Sequence, residues 1–413
     1  MASATVTQFS TTSAALHTAL PLATRQAEGI YFTPRAARDR LFAVLAPFAL
    51  RPTHILEPSC GSGEFVHDAL QHYSDARITA IEKNPTIFKK LAASPPPPRT
   101  TLVNADFLTY SSPPESTPDL IIGNPPYFVT TAKNPACMTG RPNIYVEFIY
   151  QCLTKHLSPG GVLAFILPTS LYNSTYYEPM RAYIYEHTTV LHLETLKDIP
   201  WADTAQDTML LVVRLSRETQ LSPETKPKHD FFYTPFPNGP HYLSPHWKEL
   251  QHLTAGSTTI AAAGGTVKTG IVVWNQHKDK LTDNADQADT HPILYSANIG
   301  KDHSLILNNI KDKKGEKKQY IKGFHKEPST GPALIINRGY GNVYKFDYTY
   351  IDLPSYYAEN HVNVIHMPTQ ADYRALEASL EDERTADFIR YFVGNGGLSK
   401  TELETVLPLY GFN

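Results

Sequence analysis

Pro118-Asp119-Leu120-Ile121-Ile122-Gly123-Asn124-Pro125-Pro126-Tyr127 is the stretch on which the reading of this chain turns. The apolar run up to Gly123 predicts a buried strand. Two consecutive prolines donate no N–H and fix φ, so the strand stops at a stiff corner. Open α/β sheets hold their ligands at such C-terminal strand ends. This corner presents the Asn124 amide, the Pro125 carbonyl and the Tyr127 ring. Two acceptors and a ring suit a planar group carrying an exocyclic NH2. Four letters alone also occur in ordinary Pro-rich turns, so the weight comes from the rest of the chain.

Upstream, His54-Ile55-Leu56 predicts a strand, and Glu57-Pro58-Ser59-Cys60-Gly61-Ser62-Gly63-Glu64-Phe65 a glycine-rich turn into a helix that runs to about Tyr73. The glycines let a ligand approach the backbone at a helix start. The turn lacks the terminal Lys-Ser or Lys-Thr of phosphate loops. Glu57 ahead of it suits a cationic or amino-bearing ligand. The next strand, Ile78–Ile81, ends in Glu82, an acid placed as such sheets place the one that holds ribose hydroxyls. A third, Thr101–Asn104, ends in Asp106-Phe107, a carboxylate for an adenine amino group and a ring for its face. Earlier still, Gly29-Ile30-Tyr31-Phe32-Thr33-Pro34 precedes an amphipathic helix from Ala36 to about Leu50. Thr33 is its expected N-cap, with Pro34 at the first helical position.

Downstream the alternation continues with a helix over Asn143–His156, a strand over Gly161–Leu167, a helix over Glu178–His187 and strands at Val190–Leu193 and Thr208–Val213. No helix separates the last two, so they should be antiparallel. The expected fold is α/β: a seven-stranded, mostly parallel sheet with one reversed strand and helices on both faces. Composition shifts at 217–240, rich in Pro, Lys, Glu and Thr, which predicts a linker. Beyond it come short β-like runs such as Val272–Trp274, Ala333–Ile336 and Val362–Ile365. Gly300–Lys326 carries eight Lys against two Asp and one Glu, including Lys311, Lys313, Lys314, Lys317 and Lys318. A glycine-rich turn, Asn337–Asn342, adds Arg338 and Tyr340. Basic residues with amide and aromatic neighbours suit phosphate contact and base reading, although a solvated lysine loop has the same composition.

With 413 residues, 41% hydrophobic and 19% charged, the chain has room for two domains, and no apolar run reaches membrane-span length. Net charge is −3, so any nucleic-acid affinity must come from local basic patches. Cys60, Cys137 and Cys152 show neither metal-ligand spacing nor a disulfide framework, which points to a reducing, cytosolic compartment. The first 28 residues are rich in Ser, Thr and Ala. Their composition favours a flexible or packed arm over an import segment.

These motifs resemble the gamma-order N6-adenine DNA methyltransferases, which place the catalytic domain ahead of a target-recognition domain. Gly29–Pro34 resembles the family's first motif, Glu57–Phe65 its S-adenosyl-L-methionine (AdoMet) motif, and Asn124–Tyr127 its catalytic motif. Asn143-Ile144-Tyr145 and the Gly161–Leu167 strand are also similar to the family. The resemblance is specific over 29–215; beyond it, Thr269-Gly270 and Gly397-Leu398-Ser399 resemble pieces of such recognition domains. It implies an arm (1–28), a Rossmann-like AdoMet domain (29–216), a linker (217–240) and a mixed α/β target-recognition domain (241–413). Tyr31, Thr33, Glu57, Pro58, Ser59, Gly61, Glu82, Asp106, Phe107, Asn124 and Pro126 are then expected at the cofactor. Asn124, Pro125, Pro126 and Tyr127 are expected at the flipped adenine. The family normally adds an aromatic near the start of the last strand. No Phe stands at 202–207, and Trp201 is the nearest candidate. Lys311, Lys313, Lys314, Lys317, Lys318, Arg338 and Tyr340 are the expected DNA contacts. Double-stranded DNA is the expected partner, with a separately encoded restriction endonuclease alongside and no fused nuclease. A monomer in the cytoplasm, at the nucleoid, completes the expectation. Three alternatives stay open: an RNA adenine-N6 methyltransferase, a protein glutamine-N5 methyltransferase, and a DNA-binding protein with an inactive catalytic fold.

Overall fold

The computed structural model describes residues 9–113, 117–131, 134–197, 199–201, 207–216, 230–236, 239–308, 310–312, 315–339, 344–392 and 397–412. The chain divides into two units, Met1–Trp247 and Lys248–Asn413.

In the first unit, α1 (Thr11–Ala19), α2 (Leu22–Glu28) and α3 (Arg35–Leu45) lead into β1 (His54–Glu57). The alternation follows: α4 (Glu64–His72), β2 (Arg77–Glu82), α5 (Pro85–Ala92), β3 (Thr100–Asn104), β4 (Leu120–Gly123), α6 (Ile144–Gln151), β5 (Val162–Pro168) and α7 (Glu178–His187). The sheet closes with β6 (Thr188–Leu196) and β7 (Thr208–Leu215). Strand order is β3-β2-β1-β4-β5-β7-β6, and only β7 runs antiparallel to its neighbours. The order reverses between β1 and β4. Loops leaving their C-terminal ends part there and leave a crevice.

Alternate strand residues feed the two faces, as the two-residue period requires. Leu56, Ile121, Leu163, Phe165 and Leu211 pack with Tyr145, Phe148 and Ile149 of α6. Ile55, Ile122, Ala164, Ile166 and Val212 pack with Leu41 and Leu45 of α3 and Phe65 of α4. No helix among the described residues is long and apolar enough to cross a membrane.

Three local expectations change. Pro34, not Thr33, occupies the N-cap of α3, with no side-chain cap bond; the Thr33 hydroxyl is used elsewhere, as shown below. The described part of the N-terminal arm is helical and packed: Leu16 and Leu20 join Phe32 and Ile87 in a small cluster. The expected start of the second domain at 241 moves to 248. A short hairpin, β8 (Phe232–Tyr233) with β9 (Tyr242–Leu243), belongs to the first unit. Phe232 and Leu243 enter its core, Leu243 N–H donates to the Tyr172 carbonyl, and buried Arg181 donates to the His241 carbonyl at 2.5 Å. Of the proposed linker, residues 217–229 and 237–238 lie outside the described residues.

The second unit holds an antiparallel sheet in the order Thr266–Thr269, Val362–His366, Ala333–Asn337, Tyr348–Ile351. A second sheet runs Leu281–Thr282, Tyr320–Lys322, Thr290–Leu294, Tyr357–Ala358. Helices Gln370–Glu381, Glu383–Phe392 and Lys400–Thr405 follow. Two of the expected β-like runs are strands. At Val272–Trp274 the chain makes only a bridge from Val272 to Glu359 before a 3-10 turn.

Candidate active site

A cavity of about 440 Å³ opens over the C-terminal ends of β1, β2 and β4. Its lining includes Tyr31, Pro58, Ser59, Gly61, Glu82, Asp106, Phe107, Asn124 and Pro126. Nine residues named from sequence therefore converge, from five segments of the chain.

Each loop places its side chain for a local reason. Glu82 ends β2 with both carboxylate oxygens held: Gly61 N–H donates to Oε2 at 2.9 Å and Asn84 N–H to Oε1 at 2.6 Å. That locks the glycine turn to the end of the second strand. Burial nevertheless pushes the Glu82 carboxyl up to about 7. Glu57 is buried, receives a long bond from Ser59 N–H (3.4 Å), and keeps Oε2 without a hydrogen-bond partner. Burial raises its pKa well above the usual range, and Glu82 adds to the shift. Gly123 sits beside it at φ +154°, where a Cβ would lie 2.4 Å from Glu57 Oε1. A side chain there would displace the carboxylate, so the strand must end in glycine.

At the corner, the Asn124 amide is oriented by the first motif. Its Nδ2 donates to the Tyr31 carbonyl (3.2 Å) and to Thr33 Oγ1 (3.0 Å). With both donors engaged, Oδ1 is left as the acceptor. The Tyr127 hydroxyl touches Asn124 Oδ1 and the Ile166 carbonyl, the latter at 2.7 Å. With one proton, it donates to one of them at a time. Burial raises the Tyr127 pKa, so that proton stays in place. Arg38 fastens the first motif from behind: it donates to the Thr33 carbonyl and to Glu64 and Asp68, each at 2.6 Å. Gly29, at φ +63°, closes the contact; a Cβ there would lie 2.6 Å from Tyr127 N.

Other candidates are placed differently. Among the described residues the cavity lining omits Thr33, Glu57, Pro125, Tyr127 and Trp201. Thr33 acts on Asn124, and Glu57 adjoins Pro58 and Ser59. Trp201 packs against the cluster of Leu196, Leu210 and Val212, on the face of the sheet opposite the Tyr127 cluster. Asp106 is committed within the protein: Oδ1 accepts from Leu108 N–H at 3.0 Å and Oδ2 pairs with Lys83 at 2.8 Å. Sequence reasoning missed Glu28, Ile30, Lys83, Asn84, Phe128, Ile144 and Phe148 in the lining. Lys83 and Asn84 directly follow Glu82 and were findable by adjacency. Glu28 comes from α2 and is tied to Asn84 Nδ2 at 2.8 Å, a contact across 56 residues that no local pattern announces.

In the second unit, Lys311 pairs with Glu316 at 2.9 Å, Lys318 pairs with Asp283, and Lys317 lies 4.0 Å over the Trp274 ring. Arg338 is exposed and donates to the Asn360 carbonyl at 3.5 Å. Lys313, Lys314 and Tyr340 lie outside the described residues. The similar pieces also have places here: Thr269 donates to Asn363 Oδ1, and Ser399 caps Lys400–Thr405.

A seven-stranded sheet of this order, with an acid-lined cavity at its switch point and an oriented amide beside it, defines an AdoMet-dependent methyltransferase. Residues 99–199 match the Eco57I restriction-modification methylase family. The modification methylase CviBIII of Paramecium bursaria Chlorella virus NC1A is 30% identical over 394 residues, covering 93% of this chain and 94% of that protein. The Type II methyltransferase M.CvrRI of Paramecium bursaria Chlorella virus XZ-6E is 28% identical over 410 residues, 98% and 99% of the two chains. A tRNA1(Val) (adenine(37)-N6)-methyltransferase of Vibrio cholerae is 35% identical over 131 residues, 29% of this chain and 53% of that one. The chain belongs to the family of restriction-modification methyltransferases.

Proposed function

We propose that the protein methylates N6 of an adenine turned out of double-stranded DNA, with AdoMet as the methyl donor. The observation that carries this reading is the Asn124 amide, whose Nδ2 is held by Tyr31 and Thr33 so that Oδ1 is offered at the end of β4. The cavity fits the donor. Glu28, Glu82 and Asp106 line it, and buried Glu57 beside it has an unpartnered oxygen. Lys83, paired with Asp106, lines it too, and such a set suits a ligand with several hydroxyl and amino groups. When bound, AdoMet supplies a methyl group on a cationic sulfur, so no strong base is needed to begin.

The chain's own residues supply the rest. Asn124 Oδ1 and the Pro125 carbonyl accept the two N–H bonds of the target amine. They concentrate negative potential where positive charge develops, without reorganising at that moment. The Tyr127 hydroxyl yields Oδ1 to the incoming amine by keeping its bond to Ile166. Flipping costs a few kcal/mol. Backbone contacts from Lys311, Lys317, Lys318 and Arg338 would offset that cost.

Similarity to modification methylases over nearly the whole chain favours DNA. The shorter similarity to a tRNA adenine methyltransferase favours adenine N6 and keeps RNA as the second reading. The test is tritium transfer from labelled AdoMet to unmethylated plasmid DNA, total RNA and a glutamine-bearing release-factor peptide, followed by nucleoside analysis. N6-methyladenine in DNA is the expected product. Label confined to RNA or peptide refutes the assignment. The expected genetic partner is a separately encoded endonuclease that cuts the same site.

A further inference from the structure

The sequence has no aromatic residue at 202–207, and Trp201 packs on the far face of the sheet. A flipped base would then meet Tyr127 on one side only. We propose that Tyr31 is the second wall of the base pocket, a catalytic residue that stacks on the target base opposite Tyr127; this rests on the adenine reading above.

The Tyr31 and Tyr127 rings stack on one another, with centroids 5.8 Å apart and 27° between planes. Tyr127 is the fixed wall: Ile166 and Asn124 hold its hydroxyl, and Tyr145 braces its ring edge-on at 6.0 Å. Tyr31 is the movable one. Its carbonyl is fixed by Asn124, but no hydrogen bond to a described residue holds its hydroxyl, and its ring is half-buried. A base between two rings needs roughly 7 Å, twice the stacking rise of about 3.4 Å. A small swing of the Tyr31 side chain opens that slot. Tyr31 and Asn124 both line the cavity, so the slot between the two rings adjoins the acceptor for the target amine and the methyl donor's chamber. In the closed pair each ring covers the other's stacking face until a base replaces it.

The methylated site is first recovered by sequencing plasmid DNA treated with the wild-type enzyme. A duplex carrying that site, with 2-aminopurine at the methylated position, then reports the flipped base by fluorescence. Tyr31→Ala, and Tyr31→Leu as a variant that keeps apolar bulk, are compared with Tyr31→Phe. Loss of one base–aromatic stack lowers kcat/KM on DNA by about tenfold or more. The 2-aminopurine signal changes in Ala and Leu, and Phe recovers most of the loss. Because Tyr31 also lines the cavity, AdoMet binding by calorimetry weakens by less than the fall in kcat/KM, and its measurable binding shows that the variants fold. A loss in Ala and Leu that tracks weakened AdoMet binding, with the 2-aminopurine signal unchanged, overturns the proposal and leaves Tyr31 as a cofactor residue. Unaltered kcat/KM in both overturns it as well. If the wild-type product is not N6-methyladenine, the adenine reading itself fails, and that result is scored on the wild type alone.

Discussion

Thr33→Val tests whether residues 29–34 act through the Asn124 amide, as the proposed function requires, or through the cofactor. Valine keeps the volume of this buried side chain and removes only the hydroxyl. Asn124 Nδ2 loses its 3.0 Å acceptor and keeps the 3.2 Å bond to the Tyr31 carbonyl. The amide cannot simply turn over, because Oδ1 would then face that carbonyl, acceptor against acceptor. The amide therefore loosens without inverting, and one partly buried N–H goes unsatisfied. The cost is about 1–2 kcal/mol, which is a fall of roughly 5- to 30-fold in kcat. Thr33 does not line the cavity, so AdoMet affinity should hold. Thr33→Ser, which restores the acceptor, should recover most of the rate. Single-turnover methyl transfer at saturating AdoMet gives the rate, and calorimetry gives the affinity. Weakened AdoMet binding with an unchanged single-turnover rate would refute the reasoning and make Thr33 a cofactor ligand.

Asn124→Ala removes a preorganised acceptor outright and should cost about 10²–10³ in turnover, a far larger fall than in AdoMet affinity by calorimetry, although Asn124 also lines the cavity. Glu82 titrates at about 7 in the folded protein against 4.5 for an ordinary glutamate. A cationic ligand draws on the ionised form, so AdoMet affinity should rise about tenfold between pH 6 and 8, and Glu82→Gln should flatten that rise. For the free protein the sign is opposite: the raised carboxyl contributes stability below pH 4.5 and loses it as pH climbs through about 7, so wild type should lose stability to urea over that window relative to Glu82→Gln. Neutralising Lys311, Lys317 and Lys318 should flatten the salt dependence of DNA binding by about 0.9 log unit per lost phosphate contact; an unchanged slope would mark them as a solvated surface.

The sheet was legible because its signals are local. Short strands of four to six residues, buried in β1 and β4, mostly buried in β2 and half-exposed in β3, are each closed by Glu57, Glu82, Asn104 or the Asn124 corner, so the same signals mark the strands and the ends that border the cavity. The short spacing between Leu193 and Thr208 revealed the reversed strand. Partners across the fold were not legible. Asp106 looked like a free carboxylate, because nothing nearby in sequence said that Lys83 would neutralise it at 2.8 Å. Thr33-Pro34 looked like a helix cap, because that pattern is the commonest use of the pair, whereas the hydroxyl is claimed by Asn124, 91 residues away. The β8–β9 hairpin follows a Pro- and Lys-rich stretch. Composition alone placed most of it in a linker, and only the fit of Phe232 and Leu243 into the core assigns it to the first unit.

The order of motifs along the chain has a physical reason in this geometry. For the proposed reaction Asn124 must present its oxygen, so something must occupy its two amide hydrogens. Its own strand cannot do so, because Gly123 carries no side chain and Pro125 and Pro126 follow at once. The next strand over, β1, ends in Glu57, a carboxylate that is pressed against Gly123 and itself short of a partner. The acceptors therefore have to arrive from a segment outside the sheet. Residues 29–34 cross the corner just before α3 turns back onto the opposite face, where Leu41 and Leu45 bury. Arg38, one turn into α3, ties the Thr33 carbonyl to α4, so the helix that follows β1 fixes the height at which the segment passes. A segment entering on the far side of α4 would lose that tie. The Asn124 amide would then be positioned by packing alone, which is a poor way to hold a group that, in the proposed reaction, accepts one hydrogen bond in one direction.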